Sequence, residues 1–165
     1  MNEYVEQLIG ALREELQQYG ELLALLQQQQ QLVILRSSTA LLDNLAAINA
    51  QTSVIQVARR QREQFQRQLS TSLQLPADAT FASLLGVVPE PQRGLVATLV
   101  EEINRCLRRV KEQSRQNHVL LRCSVEMMHR FMGALFPASF VTTYNQTGKA
   151  SAVNAGRAGL CEVIG

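Results

Sequence analysis

The stretch from Gln92 to Phe136 contains no proline, while Pro89 and Pro91 stand just ahead of it and Pro137 just behind. Proline is tolerated in the first turn of a helix and breaks its interior, so these prolines leave room for one continuous helix. The apolar residues inside agree. Val96, Leu99, Ile103, Cys106, Val110, Leu121, Met128, Phe131 and Leu135 are separated by threes and fours or their sums, which lines them along one face at a near-heptad period. Such a helix is on the order of 65 Å long at 1.5 Å per residue, more than a compact globular core needs. The stripe is interrupted once. From Val110 the spacing lands on Ser114 and Asn117 before Leu121 restores it. A polar residue at such a position costs stability and can fix register or partner choice; the alternative is a face that is simply wetter there.

The rest of the chain supplies faces to lay against this helix. Val5, Leu8, Leu12, Leu16, Tyr19, Leu23, Leu26 and Val33 fall at helical spacing, with Glu3, Glu6, Arg13, Glu14 and Glu21 on the other sides, predicting a first helix over about 2–35. Gly10 and Gly20 lie inside it and each costs about 1 kcal/mol against alanine, so this helix depends on packing. The glutamine run from Gln27 to Gln31 keeps the periodic pattern and reads as exposed helix. Ser37, Ser38 and Thr39 read as a helix start, because their side chains can accept from unpaired N–H groups in the following turn. A second helix over about 39–74 carries Leu42, Leu45, Ile48, Ile55, Phe65, Leu69 and Leu73 and stops before Pro76. Between Leu75 and Gly94 the composition shifts toward Pro, Gly, Ala and Thr. Asp78 or Thr80 is placed to cap a short helix over about 80–86, ending at Gly86.

That stretch is a crossover, since neither side has a self-sufficient core. Antiparallel packing of the three long helices, about 2–35, 39–74 and 92–136, buries all three stripes. The expected architecture is therefore an all-α, coiled-coil-like antiparallel bundle over 1–140, followed by a flexible tail over 141–165. The tail is rich in glycine (Gly148, Gly156, Gly159) and retains a last apolar patch at Leu160, Val163 and Ile164.

Several functions are excluded or disfavoured. The chain is 46% hydrophobic and 5% aromatic, without tryptophan, which is helix-bundle chemistry, and its net charge of +2 does not demand nucleic acid. Arg59, Arg60, Arg62 and Arg67, interleaved with glutamines, read as a solvated face paired with carboxylates on neighbouring helices, the phosphate-contacting alternative lacking aromatic interleaving. Cys106, Cys123 and Cys161 have no Cys-x-x-Cys spacing and suggest neither a disulfide framework nor a zinc site. The opening residues, Glu3 and Glu6 among them, do not read as a signal peptide, and no apolar run reaches a membrane span, so a cytoplasmic protein is expected. Glu126 and His129 form a single Glu-x-x-His, whereas a di-iron bundle site needs a second pair and two more glutamates. No phosphate loop, nucleophile elbow or catalytic triad is evident. The expectation is a non-enzyme without cofactor or metal.

Taken together, the features resemble the FlgN family of cytoplasmic flagellar export chaperones. The resemblance rests on Glu14 and Glu15 after the Leu8, Leu12 repeat and on a second helix rich in Leu, Gln and Arg. It rests also on Gln116, Asn117, His118, Val119, Leu120 and Leu121, close to the family's Asn-x-x-Asn-Gly-x-Leu-aliphatic stretch, and on Thr143, Tyr144, Asn145, Gln146, Thr147 and Gly148, like the family's Tyr-x-x-x-Gly tail. It spans essentially the whole chain. The first Asn of the family stretch is Ser114 here and the Gly is His118, which leaves only Asn117 for any capping or cross-linking by that pair.

The resemblance implies a chaperone that binds hook-filament junction proteins, keeps them from assembling prematurely and delivers them to the type III flagellar export gate. It allows the export ATPase complex as a further partner and implies neither nucleic acid nor membrane insertion. Client binding is attributed to the C-terminal region and docking on the cytoplasmic domain of the export-gate membrane protein to the tail tyrosine, which Tyr144 matches. Large, adaptable apolar side chains gather in that region. Met128, Phe131 and Leu135 lie on the stripe and are expected in the bundle core; Met127, Met132, Phe136 and Phe140 lie beside it and, with Leu160, Val163 and Ile164, are the candidate client contacts. Two rivals remain: a self-associating coiled-coil protein, and a helical nucleic-acid-associated protein using the arginine cluster.

Overall fold

The structure, a computed structural model, describes residues 2–76 and 79–135, together with the backbone of 143–144 and 150–151. Four helices follow in order: α1, Asn2–Ile34; α2, Ser38–Ser72; α3, Phe81–Leu85; and α4, Glu90–Leu135. The fold is all-α. No helix among the described residues is long and apolar enough to cross a membrane. The chain forms two compact units, residues 1–117 and 118–165.

In the first unit α1 and α2 form an antiparallel hairpin, shown by the descending pairing of Glu15 with Arg62, Gln18 with Gln51 and Gln28 with Asn44. The turn between them is closed by Arg36 in the left-handed region (φ 55), with Ser37 N–H donating to the Leu32 carbonyl at 3.1 Å. Gln74 closes α2 in the same way (φ 56), with Leu75 N–H on the Ser70 carbonyl at 2.9 Å. Both bonds capture carbonyls that a helix end leaves without partners. Ser37 stands at the start of α2, but its side chain makes no capping hydrogen bond. The expected side-chain cap is thus replaced by a backbone turn.

Thr80 does cap α3, its hydroxyl accepting from Ser83 N–H at 3.3 Å; Asp78 lies outside the described residues. The long helix begins at Glu90 rather than at Gln92. Pro91 thereby falls in the first turn, where its missing N–H breaks no intrahelical bond.

Where the crossover returns the chain, Val5, Leu8, Ile9 and Leu12 of α1 join Ile55 and Leu69 of α2, Leu84 of α3, Val88, and Val96, Leu99 and Ile103 of α4 in one core. Leu8, Leu12 and Leu69 are essentially sealed from solvent, and each such side chain contributes about 1.5–3 kcal/mol by leaving water. Gly10 and Gly20 face open space, so α1 bears only their intrinsic cost.

Farther along the hairpin the packing changes character. Leu42 is 67% exposed and Leu45 is also exposed, as are Ile34 and Leu35 at the turn. The expectation that α2 buries its whole stripe fails here: the α2 residue buried against α1 is Asn44, whose Nδ2 donates to the Leu25 backbone carbonyl and to Gln28 Oε1.

The second unit contains α4 from His118 to Leu135 and two short strands, β1 (Thr143–Tyr144) and β2 (Ala150–Ser151). These pair antiparallel, Thr143 opposite Ser151 and Tyr144 opposite Ala150, a feature that nothing in the sequence pattern suggested. Otherwise the expected tail lies outside the described residues.

Candidate functional site

The second unit presents an exposed apolar helix face. Leu121, Val125, Met128, Phe131 and Leu135 are spaced four, three, three and four, which places them on one face of the helix. Met128 is 65% exposed and Phe131 63% exposed, and Val125, Met127 and Leu135 are exposed beside them. Met128, Phe131 and Leu135 are therefore not the core residues their place on the stripe predicts. A period of three and four aligns apolar side chains but does not specify what covers them. Of the candidate client contacts, Met127 is exposed and Met132 half-buried. Phe136, Phe140, Leu160, Val163 and Ile164 lie outside the described residues, and of Tyr144 only the backbone in β1 is described. An exposed row of this kind on a helix fits an amphipathic partner helix, and its methionines adapt to imperfectly matched surfaces.

The interruption in the long stripe resolves into two different residues. Ser114 is exposed, whereas Asn117 is 2% exposed. Asn117 Nδ2 donates to the Leu26 carbonyl at 2.7 Å and to Gln29 Oε1 at 2.8 Å. Gln113 Nε2 completes the cluster, reaching Asn117 Oδ1 at 3.1 Å and Gln30 Oε1 at 3.0 Å. The glutamine run is accordingly not plain exposed helix: Gln29 is buried and Gln30 half-buried, while Gln27, Gln28 and Gln31 face solvent. Gln113, Gln29 and Gln30 escaped the sequence reading, although a buried amide on α4 requires polar partners on a neighbouring helix.

Because this cluster is removed from water, Asn117→Ala is expected to cost about 1–3 kcal/mol by leaving Gln29 without its donor. Urea denaturation monitored by circular dichroism measures it. An unchanged midpoint would show that the cluster contributes no stability.

The arginine cluster divides in two. Arg62 Nε meets Glu15 Oε2 of α1 at 2.8 Å, with side chains 14% and 4% exposed. Its guanidinium also donates to Gln66 Oε1 at 2.8 Å and lies 5.7 Å from the centre of the Phe81 ring. Gln66 passes the connection on to the Ala79 carbonyl at 2.8 Å. Arg59 pairs with Glu63 at 3.0 Å within α2. Arg60 and Arg67 instead line an open groove of about 780 Å³ with Tyr4 of α1. Beside the ion pair, burial and the Glu15 carboxylate raise the Tyr19 phenol above its usual range, against a smaller opposing pull from Arg59 and Arg62.

The arrangement offers little to chemistry. Burial pushes the Cys106 thiol up, away from a reactive thiolate. Glu126 pairs with Arg122 at 3.3 Å, and no group of three or more metal-ligating side chains converges among the described residues.

A family model described as FlgN protein matches residues 1–152. Neither a curated relative nor a solved structure matches the chain significantly.

Proposed function

The chain belongs to the FlgN family, flagellar export chaperones that bind flagellar client proteins and are not an enzyme family; from that premise we propose that it captures hook-filament junction proteins in the cytoplasm, holds them unassembled and hands them to the type III export gate. The observation that supports this reading is the exposed apolar seam of α4, with Val125, Met128, Phe131 and Leu135 open to solvent. A client whose own helices polymerise by coiling together presents matching amphipathic faces. Laying one along this seam removes both from water and competes with client self-assembly.

Met127 and Met132 widen the contact, and Phe136, Phe140, Leu160, Val163 and Ile164 extend it along the chain. Tyr144 serves the separate step of docking on the cytoplasmic domain of the export-gate membrane protein, with the export ATPase complex as a further contact. Asn117 fixes the register of α4 against α1 within the first unit. Capture of the client by this chain needs binding and competition only.

The test is co-purification of the full chain, a version ending at Pro137 and Tyr144→Ala, each with the organism's hook-filament junction proteins. The expected result is that the full chain and Tyr144→Ala retain a client, truncation weakens retention, and Tyr144→Ala alone fails to bind the gate domain. The seam is also compatible with a second copy of itself. If no junction protein binds and the full chain self-associates in sedimentation, the coiled-coil reading replaces the chaperone reading.

A further inference from the structure

Two of the four clustered arginines carry their charge into a groove instead of into an ion pair. Arg59 and Arg62 are engaged by Glu63 and Glu15. Arg60 and Arg67 make no ion pair among the described residues and line the groove between the start of α1, represented by Tyr4, and the second half of α2. They are seven residues apart on one helix, hence two turns and about 10 Å along its axis. Gln64 lies between them, with Gln68 and Thr71 beyond. Glu63 is the one carboxylate in the lining, and it is already held by Arg59 at 3.0 Å and Arg62 at 3.6 Å. The groove therefore presents two guanidinium groups with no short ion pair of their own, Gln64 between them and Glu63 drawn on by Arg67 only at longer range.

We propose that this groove docks a carboxylate-bearing helical segment of a partner protein, with two acidic residues about two turns apart meeting Arg60 and Arg67. Guanidinium groups engage carboxylates through paired, parallel N–H donors. A second helix carrying acids at the same seven-residue interval repeats the arginine spacing without distortion. The Gln64 amide complements a polar side chain between those acids, Gln68 one just past them, and Tyr4 supplies a flat ring beside them. A nucleic acid fits less well: two cations neutralise few phosphates, and no row of aromatic side chains lines the groove for stacking. The site lies wholly within residues 1–117, and the proposed client seam within residues 118–135.

The test measures fluorescence anisotropy of the full chain with alanine-rich helical peptides of roughly 15 residues, long enough to hold helical structure. They carry two glutamates spaced three, seven or eleven apart, and a glutamine-substituted peptide provides the neutral reference. The seven-residue spacing is expected to bind most tightly. Arg60→Gln with Arg67→Gln is expected to weaken it about tenfold, consistent with two exposed charge pairs. Arg108→Gln with Arg109→Gln, which removes two exposed arginines of α4, leaves it unchanged, and circular dichroism confirms that both double variants are folded. The proposal is overturned if no acidic peptide exceeds the neutral one, if spacing has no influence, or if both double variants lose binding equally. Preferential, Arg60- and Arg67-dependent binding of an oligothymidylate or of phosphatidylserine vesicles also overturns it.

Discussion

Replacing Glu15 by alanine is expected to destabilise the protein by about 3 kcal/mol, the scale set by removing one partner from a buried ion pair. Arg62 keeps its charge but loses its carboxylate 2.8 Å away in surroundings that leave the arginine side chain only 14% exposed. Gln66, the Phe81 ring and the Glu63 carboxylate at 3.6 Å remain, and of these only the more distant, more exposed and Arg59-paired Glu63 offers an opposing charge. The damage extends beyond one contact. Arg62 and Gln66 together tie α1 to α2 and, through the Ala79 carbonyl, to the segment leading into α3. Urea titration at constant slope measures the loss. Glu15→Leu with Arg62→Met is expected to recover most of it, because a buried pair is worth little against apolar side chains of similar size. Breaking the exposed Glu112–Arg115 pair on α4 serves as the control and leaves the midpoint in place. If Glu15→Ala behaves like that control, the pair does not hold the hairpin together.

The position of Glu15 shows what sequence periodicity reveals and what it conceals. Leu8, Leu12, Glu15 and Tyr19 are spaced four, three and four, so the carboxylate occupies a seam position among apolar residues. Its neighbour Glu14 is exposed. Read by residue type, both glutamates belong to a solvated surface; read by phase, Glu15 belongs inside and requires a cation. The same logic applies to Asn117, where the phase was legible while its partner Gln29 was hidden in a low-complexity run.

The helices themselves were readable because prolines and hydrophobic period are local signals, largely independent of tertiary context. The occupancy of their faces is not local. Leu42 and Leu45 continue the α2 stripe in phase and are nonetheless exposed, while the polar Asn44 between them is the residue buried against α1. Ser37 had the right residue type for a capping role that the Arg36 turn took over. Composition anticipated a cluster of four arginines, but only coordinates separate Arg59 and Arg62, already paired, from Arg60 and Arg67, which line the groove.

Met128→Ser combined with Phe131→Ser is expected to weaken client binding by about a hundredfold or more, since two large central contacts of an interface commonly cost about 2 kcal/mol each. The same variant is expected to unfold within about 0.5 kcal/mol of the parent, because side chains already exposed forfeit little burial when shortened. The pairing of these outcomes matters. A residue serving the fold shows its loss in the isolated protein, as Leu12→Ala should, with a cost of about 2–5 kcal/mol from the core cavity. A residue serving a partner shows its loss only when the partner is present. Isothermal titration with a purified junction protein and urea unfolding of the free chaperone measure the two effects separately. A folded variant that binds the client normally would move the contact away from this seam. Unfolding at lower urea would instead return Met128 and Phe131 to the core assigned by their spacing. Loss of binding at undiminished stability identifies the uncovered α4 seam as surface available to the client.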